Sequence, residues 1–194
     1  MNESLTLFSV ATTPLELISF LLSVLTVWLN IRQNHWAWLF SILASATYGV
    51  VFFDARLYGD MSLQLVFIAA SVWGWYQWLR GGEQHAGVAV SRLNGRQLAL
   101  GVLAWAAGFL VLSQFLRHYT DTDVPHADGF LTAGSLVGQL LLARKKLENW
   151  HTWIIVDVLY VGLYAYKNLY LTAVLYAIFV VLAAQGLRTW KRAL

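Results

Sequence analysis

Apolar residues run in stretches of about a helix-span each, and most of the charged residues collect in the short segments between them. Seven such runs stand out, at 14–31, 36–53, 61–79, 97–116, 128–143, 150–166 and 168–187. Runs of this length, at about 1.5 Å of rise per residue, are what a bilayer's hydrocarbon layer demands of a helix. Backbone N–H and C=O groups find no water at that depth, so each run is expected to be helical, with its hydrogen bonds closed internally.

Composition agrees with the pattern. The 194-residue chain is 59% hydrophobic and 12% charged, against roughly a quarter charged in soluble domains. The expected class is therefore an all-α integral membrane protein with seven transmembrane helices. Cysteine is absent, which removes disulfides and thiolate metal sites. The net charge of +3 does not point to nucleic acid, because the cations lie in short inter-run segments and in no motif context.

Those cations set an expected orientation instead. Arg32, Arg80, Arg92, Arg96, Arg144, Lys145, Lys146, Arg188, Lys191 and Arg192 fall on one side, and Arg56, Arg117 and Lys167 on the other. The positive-inside rule then predicts a cytoplasmic C-terminus and an N-terminus on the outside. Trp36, Trp38, Trp73, Trp75, Trp78, Trp150 and Trp190 sit near run ends on the cationic side and read as an interfacial belt. Residues 1–13 lack the cations of a signal peptide, so the segment is expected to be retained. The loop 118–128 has metal-ligand residue types without the spacing of a cage, and reads as a solvated acidic loop; no metal or other cofactor is expected.

The run 150–166 carries the candidate chemistry. Trp153, Asp157, Tyr160 and Tyr164 fall at i, i+4, i+7 and i+11, on one helical face. A carboxylate at that depth costs about 3 kcal/mol on insertion scales, so it is expected to face a protein interior or a substrate route. The plainer role is a hydrogen-bonded acid that fastens two helices together.

Sliding the chain on itself aligns Trp38 with Trp150, and in the same register Tyr48 with Tyr160, Leu57-Tyr58 with Leu169-Tyr170, Gly74 with Gly186, Trp78 with Trp190 and Arg80 with Arg192. Ser23 meets Ser135 and Arg32 meets Arg144. Two three-helix repeats with one helix between them give a 3+1+3 plan of parallel halves, the plan of SWEET-like sugar-efflux transporters. The expected divisions are a first bundle at 14–80, a linker, connecting helix and external loop at 81–127, and a second bundle at 128–192. In this register Ser41, Ser45, Tyr48 and Phe52 match the face of Trp153, Asp157, Tyr160 and Tyr164, so the acid is present in one half only.

Leu57-Tyr58, Gln64, Gly74-Trp75-Tyr76-Gln77-Trp78, Asp128, the string Ala143-Arg144-Lys145-Lys146-Leu147-Glu148-Asn149-Trp150, Trp153 and Leu169-Tyr170 together resemble the PnuC family of vitamin transporters. The resemblance runs from Glu16 to Arg192. It implies facilitated diffusion of nicotinamide riboside, a cytoplasmic kinase that phosphorylates the product, and a homotrimer with one pathway per protomer. A similar branch, PnuT, carries thiamine. The riboside transporters have a Trp-x-x-x-Asn motif where this chain has Trp153 and Asp157. An Asn amide both donates and accepts, whereas an ionised Asp only accepts and adds a charge, which suits an aminopyrimidine and a cationic ring. The departure tilts the expected substrate toward thiamine, with nicotinamide riboside as the alternative.

Further candidate binding residues are Gln64 and Gln139, polar amides in mid-run, with Asn149 and Trp38 at the cytoplasmic mouth. Interhelical hydrogen bonding would account equally for the two amides. An intramembrane enzyme is disfavoured, since no His-Glu-x-x-His, Gly-x-Ser-x-Gly or Walker A string occurs. A substrate-binding membrane subunit without flux of its own is the competing class.

Overall fold

The computed structural model of the chain describes residues 5–7, 10–12, 14–54 and 58–194. Arg56 and Leu57 lie outside the described residues. Seven α-helices follow in order: α1 (Pro14–Ile31), α2 (Ala37–Asp54), α3 (Tyr58–Arg80), α4 (Gly95–Tyr119), α5 (Pro125–Ala143), α6 (Asn149–Tyr166) and α7 (Tyr170–Lys191). Ahead of them, β1 (Leu5–Leu7) and β2 (Val10–Thr12) pair antiparallel, a hairpin the apolar-run reading did not anticipate.

Several helices outrun the apolar stretches because polar residues continue them into the rim. At the start of α4, Asn94 and Gln97 form a reciprocal capping box, and Arg188 and Lys191 occupy the last turn of α7, where cations complement the helix dipole. By length and apolarity alone, two stretches among the described residues qualify as full spans, Gly95–Tyr119 with mean hydropathy 1.9 and Thr172–Lys191 with 1.5. The others are shortened or made more polar by residues such as Gln64, Gln139 and Asp157.

The distribution of polarity is the reverse of the soluble arrangement. Ser19, Ser71, Ser135, Gln139, Asn149 and Asp157 are buried, while Leu21, Leu65, Val102, Leu103, Leu110, Val111 and Val181 are more than half exposed. Large apolar side chains outside and polar ones inside suit a hydrocarbon surround, where leaving an amide or acid outside would cost more than burying it.

The helices pack in a ring. α1 touches α2, α2 touches α3, α3 touches α5, α5 touches α6, α6 touches α7, and α7 returns to α1. α4 lies on α5. There, glycines let the two helices approach: Gly129 faces Ser113, Gly108 faces Ala133, and Gly134 lies under the Trp105 ring, whose Nε1 donates to Phe130 O at 2.9 Å.

At the cationic end, four tryptophans occupy the middle of the ring. Trp38 meets Trp78 edge to face with centroids 5.4 Å apart, Trp150 meets Trp190 at 5.3 Å with the same 89° angle, and Trp78 and Trp190 join the pairs at 6.1 Å. Gly74 makes room for the Trp38 ring and Gly186 for the Trp150 ring. All four indoles are at most 6% exposed, which corrects the expectation of an interfacial belt for them. Rings near a span end seat inward when a glycine on the neighbouring helix leaves a slot, and Trp36, 49% exposed, is the one of the set that keeps a surface position this open.

Residues matched by the repeat register also share backbone geometry. Gln33 and Lys145 both have positive φ, 54° and 46°. Asn34 N donates to Leu29 O at 3.0 Å, and Lys146 N donates to Leu141 O at 2.9 Å, so α1–α2 and α5–α6 are joined by the same turn.

The segment after α3, read from sequence as a polar linker, is laid against the α5–α6 turn. Ser91 N donates to Lys145 O at 3.1 Å, Leu147 N to Ser91 O at 2.9 Å, and Leu93 N to Glu148 Oε2 at 3.0 Å. Gly82 and Gly87, at φ 76° and 83°, supply the left-handed positions that fold it back. At the opposite end, Lys167 pairs with Asp123 at 3.0 Å and holds that carboxyl below the usual carboxylate range. Thr122 Oγ1 donates to Asp128 Oδ2. Among the described residues no group of three or more His, Cys, Asp or Glu could hold a metal ion.

The glycine slots give a stability test. A Cβ on Gly74 would stand 2.6 Å from Trp38 Cζ2, and one on Gly186 would stand 2.6 Å from Trp150 Cζ2, whereas Gly162 has open space around it. Gly74→Ala and Gly186→Ala are expected to destabilise the detergent-solubilised protein by about 1–3 kcal/mol through overpacking. Gly162→Ala should be neutral, or more stable by up to about 1 kcal/mol from helix propensity. Thermal unfolding midpoints read the contrast.

Candidate functional site

The α5–α6 turn sets the angular position of every residue on α6. Lys145 takes the left-handed conformation, Asn149 Nδ2 donates to Lys146 O at 2.6 Å, and Thr152 Oγ1 donates to Glu148 O at 3.2 Å. With the helix start fixed, Asp157 lies two turns further on, about 12 Å along the axis, near the middle of α6.

Asp157 is 4% exposed, so its carboxyl is turned into the helix ring and away from the outer surface. Among the described residues the one ion pair is Lys167–Asp123, and no cation stands within pairing distance of Asp157. Three tyrosine rings stack beside it. Tyr160 and Tyr164 of α6 have centroids 5.6 Å apart at 17°, and Tyr176 of α7 closes on them at 4.5 and 5.2 Å, with Phe179 edge-on to Tyr176 at 5.6 Å. The Tyr176 hydroxyl lies within electrostatic reach of Asp157 and of Tyr48 on α2, and Tyr160 reaches the side chains of Ser135 and Thr132 on α5.

Trp153 lies one turn before the acid. Its indole runs along α5 at Gly138, where an added Cβ would stand 3.1 Å from Cε2. A polar chain also crosses three helices: Gln139 Nε2 donates to Ser71 Oγ at 3.2 Å, and Ser71 Oγ and Ser41 Oγ lie 2.9 Å apart. Gln139 is thus held by an interhelical bond, and its 7% exposure keeps it inside the ring.

Four of the eight residues expected from sequence, Trp153, Asp157, Tyr160 and Tyr164, lie along one face of α6, whereas Gln139 on α5 is bonded to Ser71 of α3. Gln64 lines a separate cavity of about 340 Å³ between α2 and α3, together with Ser45 and Gly49. Trp38 and Asn149 are fully enclosed at the cationic end, at 1% and 0% exposure, with Trp38 in the tryptophan cluster. The glycine slot opposite Trp38 and the turn bond of Asn149 explain why neither opens onto a mouth.

Tyr176 was missed by sequence reasoning, although it is the register mate of Gln64, so the repeat already pointed to it. Ser71, Ser41 and Thr132 were missed as site residues because lone hydroxyls in apolar runs are common and carry no spacing signature.

Chemically, the site offers stacked aromatic faces, a buried acid and several hydroxyls, with Asp128 of α5 also within electrostatic reach of Tyr160. Aromatic faces and a carboxylate attract a cationic or flat heteroaromatic molecule.

Residues 13–192 match the family described as Nicotinamide mononucleotide transporter. The chain is 27% identical to the riboflavin/roseoflavin transporter RibM of Streptomyces davaonensis, over 97% of this chain and 90% of that one. It is 25% identical to the nicotinamide riboside transporter PnuC of Escherichia coli K12, over 91% and 84%. The crystal structure of the vitamin B3 transporter PnuC superposes with a TM-score of 0.74 at 26% identity, covering 92% of this chain and 81% of that one.

The polar chain gives a second test. Ser71→Ala removes the acceptor of the buried Gln139 amide and is expected to cost about 1–3 kcal/mol, the penalty of an unsatisfied buried donor. Gln139→Leu together with Ser71→Ala should recover much of it, read in the same thermal unfolding assay.

Proposed function

The chain belongs to the nicotinamide mononucleotide transporter family, a family of inner-membrane vitamin transporters and not of enzymes, and from that premise we propose that it mediates facilitated uptake of a cationic vitamin, with thiamine favoured over nicotinamide riboside. The observation that carries the reading is the enclosed Asp157 with no cation beside it among the described residues. A buried carboxylate without a partner is costly, and a permanently cationic heteroaromatic would supply the missing charge while its ring lay against Trp153 or the tyrosine stack. Thiamine also brings an exocyclic amine that a carboxylate accepts from. Nicotinamide riboside shares the cationic ring, and it is the named substrate of the PnuC relative.

In this reading the helix ring is a 3+1+3 assembly, with bundles at 14–80 and 128–192 that rock about the site and α4 as the connector between them. The shared turn geometry and the paired tryptophans support it. The N-terminus lies in the periplasm and the C-terminus in the cytoplasm, as the cation distribution favours. A homotrimer, and a cytoplasmic kinase that traps the product, are part of the same proposal and rest on the family resemblance.

Two measurements test it. Binding titrations of thiamine, nicotinamide riboside and riboflavin on the wild type and on Asp157→Asn should show thiamine weakened by about tenfold, the order of one lost charge-assisted bond, and the riboside improved. Equal effects on both cations would remove the specificity argument, and preference for riboflavin in the wild type would assign the site to the chemistry of the RibM relative. In reconstituted vesicles the purified chain should equilibrate its substrate without a pH gradient. Binding without flux would leave it a subunit of something larger, and accumulation driven by an imposed gradient would replace facilitation by proton coupling.

A further inference from the structure

At the cationic end of the ring lies a cavity of about 410 Å³, away from the tyrosine site, lined by Gln77 of α3, Gly82 and Ser91 of the folded-back segment, and Arg144 and Lys146 of the α5–α6 turn. Its charged lining is cationic only. Glu148, the acid of the adjoining turn, is not among the lining residues and accepts at Oε2 from Leu93 N. Lys145, between the two lining cations, is committed elsewhere: its Nζ stands 4.6 Å from the centroid of Trp78, and burial lowers its pKa.

The two lining cations retain donors for a ligand. Lys146 Nζ makes one bond, 3.4 Å to Arg92 O, and an ammonium has three donors. Arg144 is exposed, with its guanidinium 5.6 Å from the centroid of Trp73, a stacking distance that leaves its N–H edge available. Closing of the α5 C-terminus by these side chains is the simpler use of two cations at a helix end. That use does not call for a cavity, nor for a wall contributed by α3 and the crossing segment.

We propose that this cavity is a binding site for a phosphate-bearing anion, held by Arg144 and Lys146 with Ser91 and Gln77 as neutral partners. The walls come from the end of α3, the crossing segment and the α5–α6 turn, so an occupant ties the first three helices to the last three. The chemistry is that of a phosphate monoester or of a phospholipid headgroup at the membrane surface, where clustered cations draw anionic lipid.

The test uses the purified full chain in zwitterionic detergent, with intrinsic tryptophan fluorescence followed through thermal unfolding. Sodium phosphate is compared with sodium chloride at matched ionic strength, and phosphatidylglycerol with phosphatidylcholine in the micelle. The expected result is a saturable rise in midpoint beyond the matched control for the wild type, lost in Arg144→Gln/Lys146→Gln and kept in Arg144→Lys/Lys146→Arg. A rise with phosphatidylglycerol alone identifies the occupant as lipid headgroup, and a rise with free phosphate identifies a soluble ligand. If neither anion exceeds its control in the wild type, or if the Gln variant shifts as far as the wild type, the proposal is wrong. Should the double Gln variant fail to fold, Ser91→Ala and Lys146→Gln are read singly, and an undiminished shift in both overturns it equally.

Discussion

Two indoles hold the ring closed through reciprocal hydrogen bonds, one of them bifurcated. Trp78 Nε1, on α3, donates to Leu142 O at the end of α5, 3.1 Å away, and Trp190 Nε1, on α7, donates to Asn30 O and Ile31 O at the end of α1, at 3.2 and 3.1 Å. Asn30 and Leu142 are themselves mates in the repeat register, as are the two tryptophans. Asn30 O and Leu142 O each already accept a turn amide, from Gln33 N at 3.0 Å and Lys145 N at 2.9 Å, so the indoles add a second bond at the ends of α1 and α5 and tie them to α7 and α3. Because both indoles are buried, these bonds form where water does not compete, and the edge-to-face contacts of the quartet add about 0.5–1.5 kcal/mol per pair to the area they bury.

That closure decides where polarity can be placed. A ring pinned at one end by indoles has an interior, and in a bilayer an interior is the one region where an amide or an acid at mid-depth meets something better than acyl chains. Ser71, Gln139 and Asp157 lie within it, while the outward faces of α4 and α7 present leucine and valine. Glycine governs the spacing throughout. Gly74, Gly138, Gly186, Gly129 and Gly134 each stand where a neighbouring ring or backbone fills the room a side chain would need. Without a hydrophobic drive between helices in lipid, such close approach is what remains to hold them together.

Apolar run length alone made the seven helices legible, because nothing else satisfies backbone groups across hydrocarbon in a chain of this pattern. Trp38, Trp78, Trp150 and Trp190 were picked out by the repeat register but given the wrong surroundings, since nothing in a run of letters says that Gly74 and Gly186 lie opposite the rings of Trp38 and Trp150 on another helix. The face of Trp153, Asp157, Tyr160 and Tyr164 was legible from helical spacing, and its inward direction followed from the cost of the acid. Tyr176 was legible only as the register mate of Gln64, since its meeting with Tyr160 is a matter of tertiary packing. Gln64 and Gln139 looked alike in sequence as amides in mid-run, yet one lines a separate cavity and the other is tied to Ser71, a distinction set by which helix each one faces. The folded-back segment at 81–94 was equally opaque, since its partners are groups of a turn that lies beyond two further helices in the chain.

The two halves agree in framework and disagree in chemistry, and the disagreement is concentrated at one level. Turn conformation, glycine slots, indole pairs and cross-half bonds repeat almost residue for residue, whereas Asp157 answers to Ser45 and Tyr176 to Gln64. A framework with two matching halves can reach two arrangements of comparable energy, because an interaction broken on one side has a counterpart on the other. The residues that differ break that match in charge, since one half has an acid where the other has a hydroxyl. Ser45 lines the separate cavity beside Gln64, so the acid and its register mate serve different spaces. The symmetry of the scaffold and the asymmetry of its lining are therefore compatible demands, met by different residues of the same helices.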